Sequence, residues 1–193
     1  TKVGGAGAFR VATSGTETPL AGVKDLALRV DRAPNGTGAG LLGFVRSADR
    51  VAAMKDGDVL LIADQELTAV DLAHLPRALL VLFAGTVLTP EAAQRVNVAL
   101  PLTNFAEEEG TFTNLRGRVQ RFLQAKAGPA FSRPGWFVLL DLLAALGDKV
   151  DGFVPGDVFS KLASDVPAFA GLNYDKLGLR GAMTRNATAG EGV

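Results

Sequence analysis

Three groups of residues have types and spacings that could do chemistry. Gly38-Ala39-Gly40-Leu41-Leu42-Gly43 satisfies the G-x-G-x-x-G pattern, in which glycines bring backbone and a helix N-terminus onto a pyrophosphate. Asp64 closes the apolar run Asp58 to Asp64, at a distance compatible with the acid that takes a ribose hydroxyl in dinucleotide sites. Glu107, Glu108 and Glu109 are a carboxylate cluster; metal or general-acid chemistry would need convergent partners, and the cluster is expected to be a solvated acidic turn. His74 is the sole histidine. It has no serine partner or ligand cluster in its neighbourhood, so no nucleophile, base and orienter can be assembled around it.

Composition excludes several classes. With 0 cysteines there is no disulfide, no thiolate nucleophile and no cysteine-bound iron–sulfur cluster within these residues. One histidine and no cysteine also argue against structural zinc. Twenty basic and twenty acidic side chains cancel, so no global field draws nucleic acid or an anionic membrane. The longest apolar run, Ala78 to Leu88, falls short of the roughly 20 residues that span a bilayer. No direct membrane insertion is expected.

The elements that must position these groups follow from periodicity. Residues 1–24 are rich in Gly, Ala, Ser and Thr and read as a linker, with Phe9 to Ala12 its strand-like piece. Asp25 to Asp31 alternates and predicts a strand, although Leu20, Val23, Ala27 and Val30 also suit a helical face. Ser47 to Met54 is the expected helix after the glycine run. Val59 to Ala63 and Ala78 to Ala84 are continuous apolar runs, the pattern of strands covered on both faces of a parallel sheet. Leu67 to Leu75 supplies the crossover between them. Thr89, Pro90 and Glu91 open a helix as N-cap, first helical residue and dipole-matched acid. Val98 to Leu100 then form a brief buried strand, stopped by Pro101. Strands near 26, 59, 79 and 97 predict part of a parallel sheet.

Two features weigh on the glycine pattern. Arg32, Ala33, Pro34, Asn35, Gly36 and Thr37 intervene between the first strand and Gly38, whereas a phosphate loop needs its first glycine directly after the strand. A glycine-rich loop is also a common part of any α/β crossover, so the pattern alone discriminates little.

Residues 97–122 change character three times. After the strand, Asn104 is placed to cap one turn, with Glu107 at the position from which a carboxylate reaches back to the free amides. Gly110 permits a reversal. Thr111 to Thr113 and Arg118 to Phe122 alternate about a tight turn at Asn114 to Gly117, and predict a hairpin. Beyond it, Pro134 to Gly147 reads as an amphipathic helix that docks Trp136, Leu139, Leu140, Leu143 and Leu146 on the sheet, with Gly147 as its stop. Pro155 to Val166 repeats the pattern through Val158, Phe159, Leu162, Ala163 and Val166. Phe169, Leu172, Tyr174, Leu177 and Leu179 read as a last short helix or turn, and Met183 to Val193 as a frayed end.

The run from Leu100 to Phe122, LPLTNFAEEEGTFTNLRGRVQRF, resembles the large iron–sulfur subunit of NADH:quinone oxidoreductase (complex I), which belongs to the molybdopterin oxidoreductase superfamily. Leu100, Pro101, Phe105, Ala106, Glu107, Gly110, Thr111, Phe112, Thr113, Asn114, Gly117, Arg118, Val119 and Gln120 carry the likeness. Leu115 and Arg116 depart from it, where that family more often has Thr-Glu. The resemblance also takes in the spacing of Asn35, Gly38, Ala39 and Gly43 in the glycine loop, and the tryptophan-bearing helix ending in Leu146-Gly147. It implies that Glu107, Thr111, Asn114 and Arg118 lie near the cofactor cleft of the superfamily, as a pterin remnant, and that iron–sulfur clusters and NADH chemistry lie elsewhere in the parent complex, leaving no cofactor in these residues. The implied partners are the other subunits of the complex I peripheral arm, on the cytoplasmic side of the bacterial inner membrane.

The expected fold class is α/β: a parallel sheet flanked by helices, followed by a small β-hairpin and a helical C-terminal extension. Its expected divisions are a linker at 1–24, an α/β domain with terminal hairpin at 25–122, and the helical extension at 123–193. The chain opens on Thr1, as expected of a piece of a longer polypeptide. The expected function is that of a non-catalytic structural fragment of the complex I subunit, supporting its peripheral electron-transfer arm; the alternatives are a piece of a molybdopterin-dependent oxidoreductase and a dinucleotide-binding module using Gly38, Gly40, Gly43 and Asp64.

Overall fold

The computed structural model describes residues 8–9, 18–19, 27–28, 35–46, 54–63, 73, 75–76 and 80–185. Asp64, His74, residues 47–53 of the expected helix and most of the 67–75 crossover lie outside the described residues.

The architecture is mixed α/β, centred on a parallel three-stranded sheet of β5 (Val59–Ala63), β6 (Leu80–Gly85) and β7 (Val98–Pro101) in that spatial order. Register pairs Leu60 with Val81, Ile62 with Phe83, and Leu82 with Val98. One face holds the core: Ile62, Leu75, Val81, Phe83 and Ala92 are buried together, with Met54, Leu60 and Val96 packed against them. Helix α2 (Pro90–Ala93) leads into β7, and its Thr89 Oγ1 accepts the Ala92 amide hydrogen at 3.2 Å. The predicted cap, first-turn proline and acid therefore all hold.

The same sheet corrects two expectations. Its strands are not covered on both faces: Val59, Leu61 and Leu80 are exposed although their runs are unbroken in apolar residues. Nor is Val98 to Leu100 buried: among the described residues β7 pairs along its length with β6 alone, and it exposes Val98 and Ala99. Near residue 27, β3 (Ala27–Leu28) does not join the parallel sheet. It pairs antiparallel with β2 (Thr18–Pro19), an arrangement a short connection can close, whereas parallel pairing needs a long crossover. Within the segment read as a linker, β1 (Ala8–Phe9) pairs parallel with β4 (Val45–Arg46).

The predicted hairpin is present as β8 (Gly110–Thr113) and β9 (Arg118–Phe122). Asn114 makes its turn: the Asn114 amide donates to Arg118 O at 2.9 Å, and Asn114 Oδ1 accepts from the amides of Arg116 and Arg118, each at 3.0 Å. A third strand, β10 (Ala182–Met183), adds antiparallel to β9. That corrects the frayed reading at Met183 to Arg185; residues 186–193 lie outside the described residues. Its partners Val119 and Arg118 lie some sixty residues earlier, so no local pattern announces it.

Helix α3 (Gly135–Ala145) forms where predicted and stops at Gly147, which has φ +89°. Its amphipathic docking face does not. Phe137, Val138, Leu142 and Ala144 fill the side opposite the predicted stripe, Asp141 is its only charged residue, and no residue of the helix is buried. By contrast, α4 (Pro155–Asp165) is amphipathic as read, with Phe159 and Ala163 buried. A 3-10 turn (Pro167–Phe169) and α5 (Tyr174–Leu177) follow, burying Phe169 and Leu177. Leu179, expected to pack with them, is fully exposed.

The described residues group into two units. One takes those between Asp49 and Gly110 and between Phe122 and Phe159; the other takes those between Gly4 and Ala48, between Thr111 and Arg121, and between Ser160 and Val193. The parallel sheet belongs to the first and the turn of the hairpin to the second.

Candidate functional site

In the first unit, the acidic turn is a brace between loops. The Asn104 amide donates to Glu107 Oε2 at 3.1 Å, while Asn104 Oδ1 accepts from the Ala106 amide at 2.9 Å. This is the reciprocal cap that the Asn-x-x-Glu spacing predicts, here closing a hydrogen-bonded turn. Lys126 Nζ lies 3.0 Å from Glu107 Oε1, and Gln124 Nε2 donates to the Glu107 carbonyl at 3.0 Å. Glu107 is only 6% exposed. The expectation of a solvated acidic turn is thereby corrected, because the segment carrying Gln124 and Lys126 folds back over it.

The carboxyl of Glu107 is held below its ordinary pKa, first by the Asn104 backbone amide and then by the Lys126 ammonium. A carboxylate so held is a poor proton donor at neutral pH. Glu108 has a different task. Its Oε2 accepts from Thr103 Oγ1 and from the Gly135 amide, both at 3.0 Å. Glu108 thus caps α3 from 27 residues upstream, where Pro134 offers no side-chain cap of its own. The Thr103 amide donates to Arg133 O at 2.9 Å, fixing the loop before the helix. A Cβ at Gly128 would press on Thr103 Cγ2 and Ser132 Oγ, so glycine permits this close approach.

Trp136 follows the capped residue. Its Nε1 is shielded from solvent and has no hydrogen-bond partner, while its ring meets Phe137 edge-on at 5.7 Å and 84°. Arg133 lies over the Phe137 ring at 5.3 Å.

In the second unit, the glycine pattern builds a helix. Gly38 and Gly40 lie inside α1 (Gly36–Leu41) instead of in a loop ahead of a helix N-terminus. The Leu42 amide donates to Gly38 O, and the Gly43 amide to Gly40 O. Gly43, at φ +83°, ends the helix in the left-handed conformation that glycine adopts freely. Gly38 is required by close packing: a Cβ there would collide with Asn35 Oδ1 and sit 3.1 Å from Thr113 Oγ1. Nothing lies near a Cβ added at Gly40. Among the described residues the glycines sit inside the helix instead of ahead of its N-terminus, the place a pyrophosphate cradle requires.

Asn35, which the sequence offers only as a member of the glycine loop, is the key residue of this corner. It holds φ +58°, the one positive φ at a non-glycine position among the described residues, and its Oδ1 accepts the Thr113 amide at 2.8 Å. An asparagine ahead of glycine is the available sequence signal, since its side chain tolerates that conformation and bonds backbone.

The four residues implied as a pterin remnant fall in different units. Glu107 belongs to the first unit, whereas Thr111, Asn114 and Arg118 belong to the second. Asn114 Oδ1 is occupied by its own turn, and Arg118 Nη1 donates to the carbonyls of Arg180 and Gly181, both at 3.4 Å. Thr111 is a half-buried residue of β8. Glu107, Asn114 Oδ1 and Arg118 Nη1 thus each have partners within the protein. Among the described residues no three His, Cys, Asp or Glu side chains group as a metal site, and no helix is long and apolar enough to cross a membrane.

Residues 29–145 match the molybdopterin oxidoreductase family, more than half of the chain. The chain belongs to the molybdopterin oxidoreductase family. Its relatives there include the F420-dependent formate dehydrogenase 2 subunit alpha of Methanococcus maripaludis, 30% identical over 123 residues, which are 61% of this chain and 18% of that protein. The F420-dependent formate dehydrogenase subunit alpha of Methanocaldococcus jannaschii is 30% identical over 116 residues, 58% of this chain and 17% of that protein. The protein YrhE of Bacillus subtilis, which carries a provisional formate dehydrogenase name, is 39% identical over 85 residues, 44% of this chain and 9% of that protein. The chain of this molybdopterin oxidoreductase family member therefore spans less than a fifth of the length of these relatives. The superfamily implied by residues 100–122 stands; the relatives are formate dehydrogenases by name, where the resemblance pointed to the complex I subunit.

Proposed function

We propose that this chain is a section of a longer molybdopterin-dependent oxidoreductase of the formate dehydrogenase kind. The observation that carries this is the family match across residues 29–145 together with relatives named for formate oxidation. Within that enzyme the section acts as scaffold. Glu107 joins the 103–108 turn to the segment carrying Gln124 and Lys126, Glu108 joins it to the residue that opens α3, and Asn35 ties α1 to the hairpin. Binding of the pterin then falls to residues outside these. The test is the full polypeptide purified with its cofactors and supplied with an artificial electron acceptor. Formate-dependent reduction is expected.

A second reading rests on the Leu100 to Gln120 run, which resembles the large iron–sulfur subunit of NADH:quinone oxidoreductase. There the section supports the peripheral electron-transfer arm, contacting neighbouring subunits on the cytoplasmic face of the membrane. Acceptor reduction by NADH with none from formate, in the complex that contains this chain, would overturn the first reading in favour of the second.

A further inference from the structure

Successive strands that lie side by side in sequence order, joined by right-handed crossovers, place all their connections on one face of the sheet. The spatial order β5, β6, β7 is of this kind. Accordingly Leu75, just ahead of β6, and Ala92 and Val96, just ahead of β7, join one cluster with Ile62, Val81 and Phe83. The described crossover residues therefore serve that one face.

The opposite face is apolar and exposed over its first two rungs. Val59, Leu61, Leu80 and Val98 are 57%, 39%, 42% and 43% exposed. They form adjoining rungs: Val59 lies beside Leu80, and Leu61 beside Leu82, which lies beside Val98. The next rung is Ala63, Ala84 and Leu100, where Ala84 is buried, so the exposed apolar surface runs unbroken by polar side chains up to that rung. Parallel sheets occur almost only with both faces covered. Three strands about 4.8 Å apart make a floor about 10 Å wide, the diameter of one helix with its side chains.

We infer that this face seats an apolar helix face supplied by the rest of the oxidoreductase polypeptide. The inference rests on the reading of this chain as a section of a longer enzyme. What supports that occupant is length: the matched relatives devote more than four fifths of their polypeptide to residues this chain does not span. The complementary helix carries apolar side chains at i, i+3, i+4 and i+7, and its contact buries the Val59, Leu61, Leu80 and Val98 side chains.

The chain has 0 cysteines, so single thiols report on one position each. The variants L61C, V98C and D56C, the last on an exposed turn of the same unit, are compared for alkylation by a maleimide, read by mass spectrometry of the labelled peptide. In the 193-residue chain all three are expected to react at similar rates, with melting temperatures unchanged. In the full oxidoreductase polypeptide the L61C and V98C thiols should slow by more than about tenfold, because labelling then requires local opening, while D56C stays fast. Equal rates for all three in the full polypeptide would overturn the inference. So would protection in the 193-residue chain that rises with its concentration and tracks dimer formation, which would assign the face to a second copy. Labelling needs no turnover: protection without formate-dependent reduction would support the buried face and count against the formate assignment alone.

Discussion

Asn35 Oδ1 accepts the Thr113 amide hydrogen at 2.8 Å across 78 residues of chain, and Gly38 leaves the space in which it does so. Replacing Asn35 by Ala strands the amide of a residue only 5% exposed and leaves at φ +58° a residue without the polar side chain that lets asparagine tolerate the left-handed region. Together these should cost about 2 to 4 kcal/mol of unfolding free energy. Asn35→Asp retains both the acceptor and the backbone tolerance and should stay within about 1 kcal/mol. Gly38→Ala displaces the same side chain, so the double variant with Asn35→Ala should lose less than the sum of the two singles. Urea unfolding of the four proteins measures this; strict additivity would show that Gly38 serves something other than the Asn35 contact.

The pH dependence of Glu107 has a definite sign. Its folded pKa lies below the ordinary 4.5 because the Asn104 amide and then the Lys126 ammonium favour the charged form. A depressed folded pKa contributes stability that is fully present above the unfolded value and is lost as pH falls through the folded one. Melting temperature should therefore drop as pH is lowered below 4.5, and Glu107→Gln should show a shallower drop over that window. Superimposable slopes for the two proteins would remove Glu107 from the account.

Local chemistry was readable wherever both partners lie within a few residues. Asn104 with Glu107, Thr89 with Ala92 and the Asn114 turn were all legible for that reason, as were the strand runs that became β5 and β6. What escaped depends on distance in sequence. The Glu107 brace needs Gln124 and Lys126, the Glu108 cap needs Gly135, and β10 needs Val119. The glycine pattern misled because glycine has several uses: Gly38 yields space and Gly43 supplies a positive φ, neither of which a sequence pattern separates from phosphate binding. In the parallel strands the unbroken apolar runs did predict two covered faces, and the exposed Val59, Leu61, Leu80 and Val98 are where that prediction and this chain part.

Glu108 should govern the start of α3. Its carboxylate receives the first helical amide, Gly135, where charge and helix dipole are matched. Glu108→Ala removes both this acceptor and the Thr103 hydroxyl partner and should cost about 1 to 2 kcal/mol. Amide exchange in residues 135–138 should accelerate more than exchange in β6. Glu108→Gln keeps a carbonyl acceptor and should recover part of the protection. Uniform acceleration across the first unit would instead mean a general loss of stability, with no capping role.

Trp136 is expected to tolerate a loss that would usually be costly. Its Nε1 is shielded and unpartnered, so the folded state already carries the desolvation cost of that donor, about 1 to 3 kcal/mol. Trp136→Phe removes the donor and keeps an aromatic ring against Phe137, trading lost contact area for relief of the orphaned N–H. The net change should fall within about 1 kcal/mol. Trp136→Ala forfeits the ring as well and should cost more, about 2 to 3 kcal/mol for a half-buried aromatic. Since Trp136 is the chain's single tryptophan, unfolding is followed by circular dichroism in place of fluorescence. A Trp136→Phe penalty as large as that of Trp136→Ala would mean that the indole N–H is paired in solution.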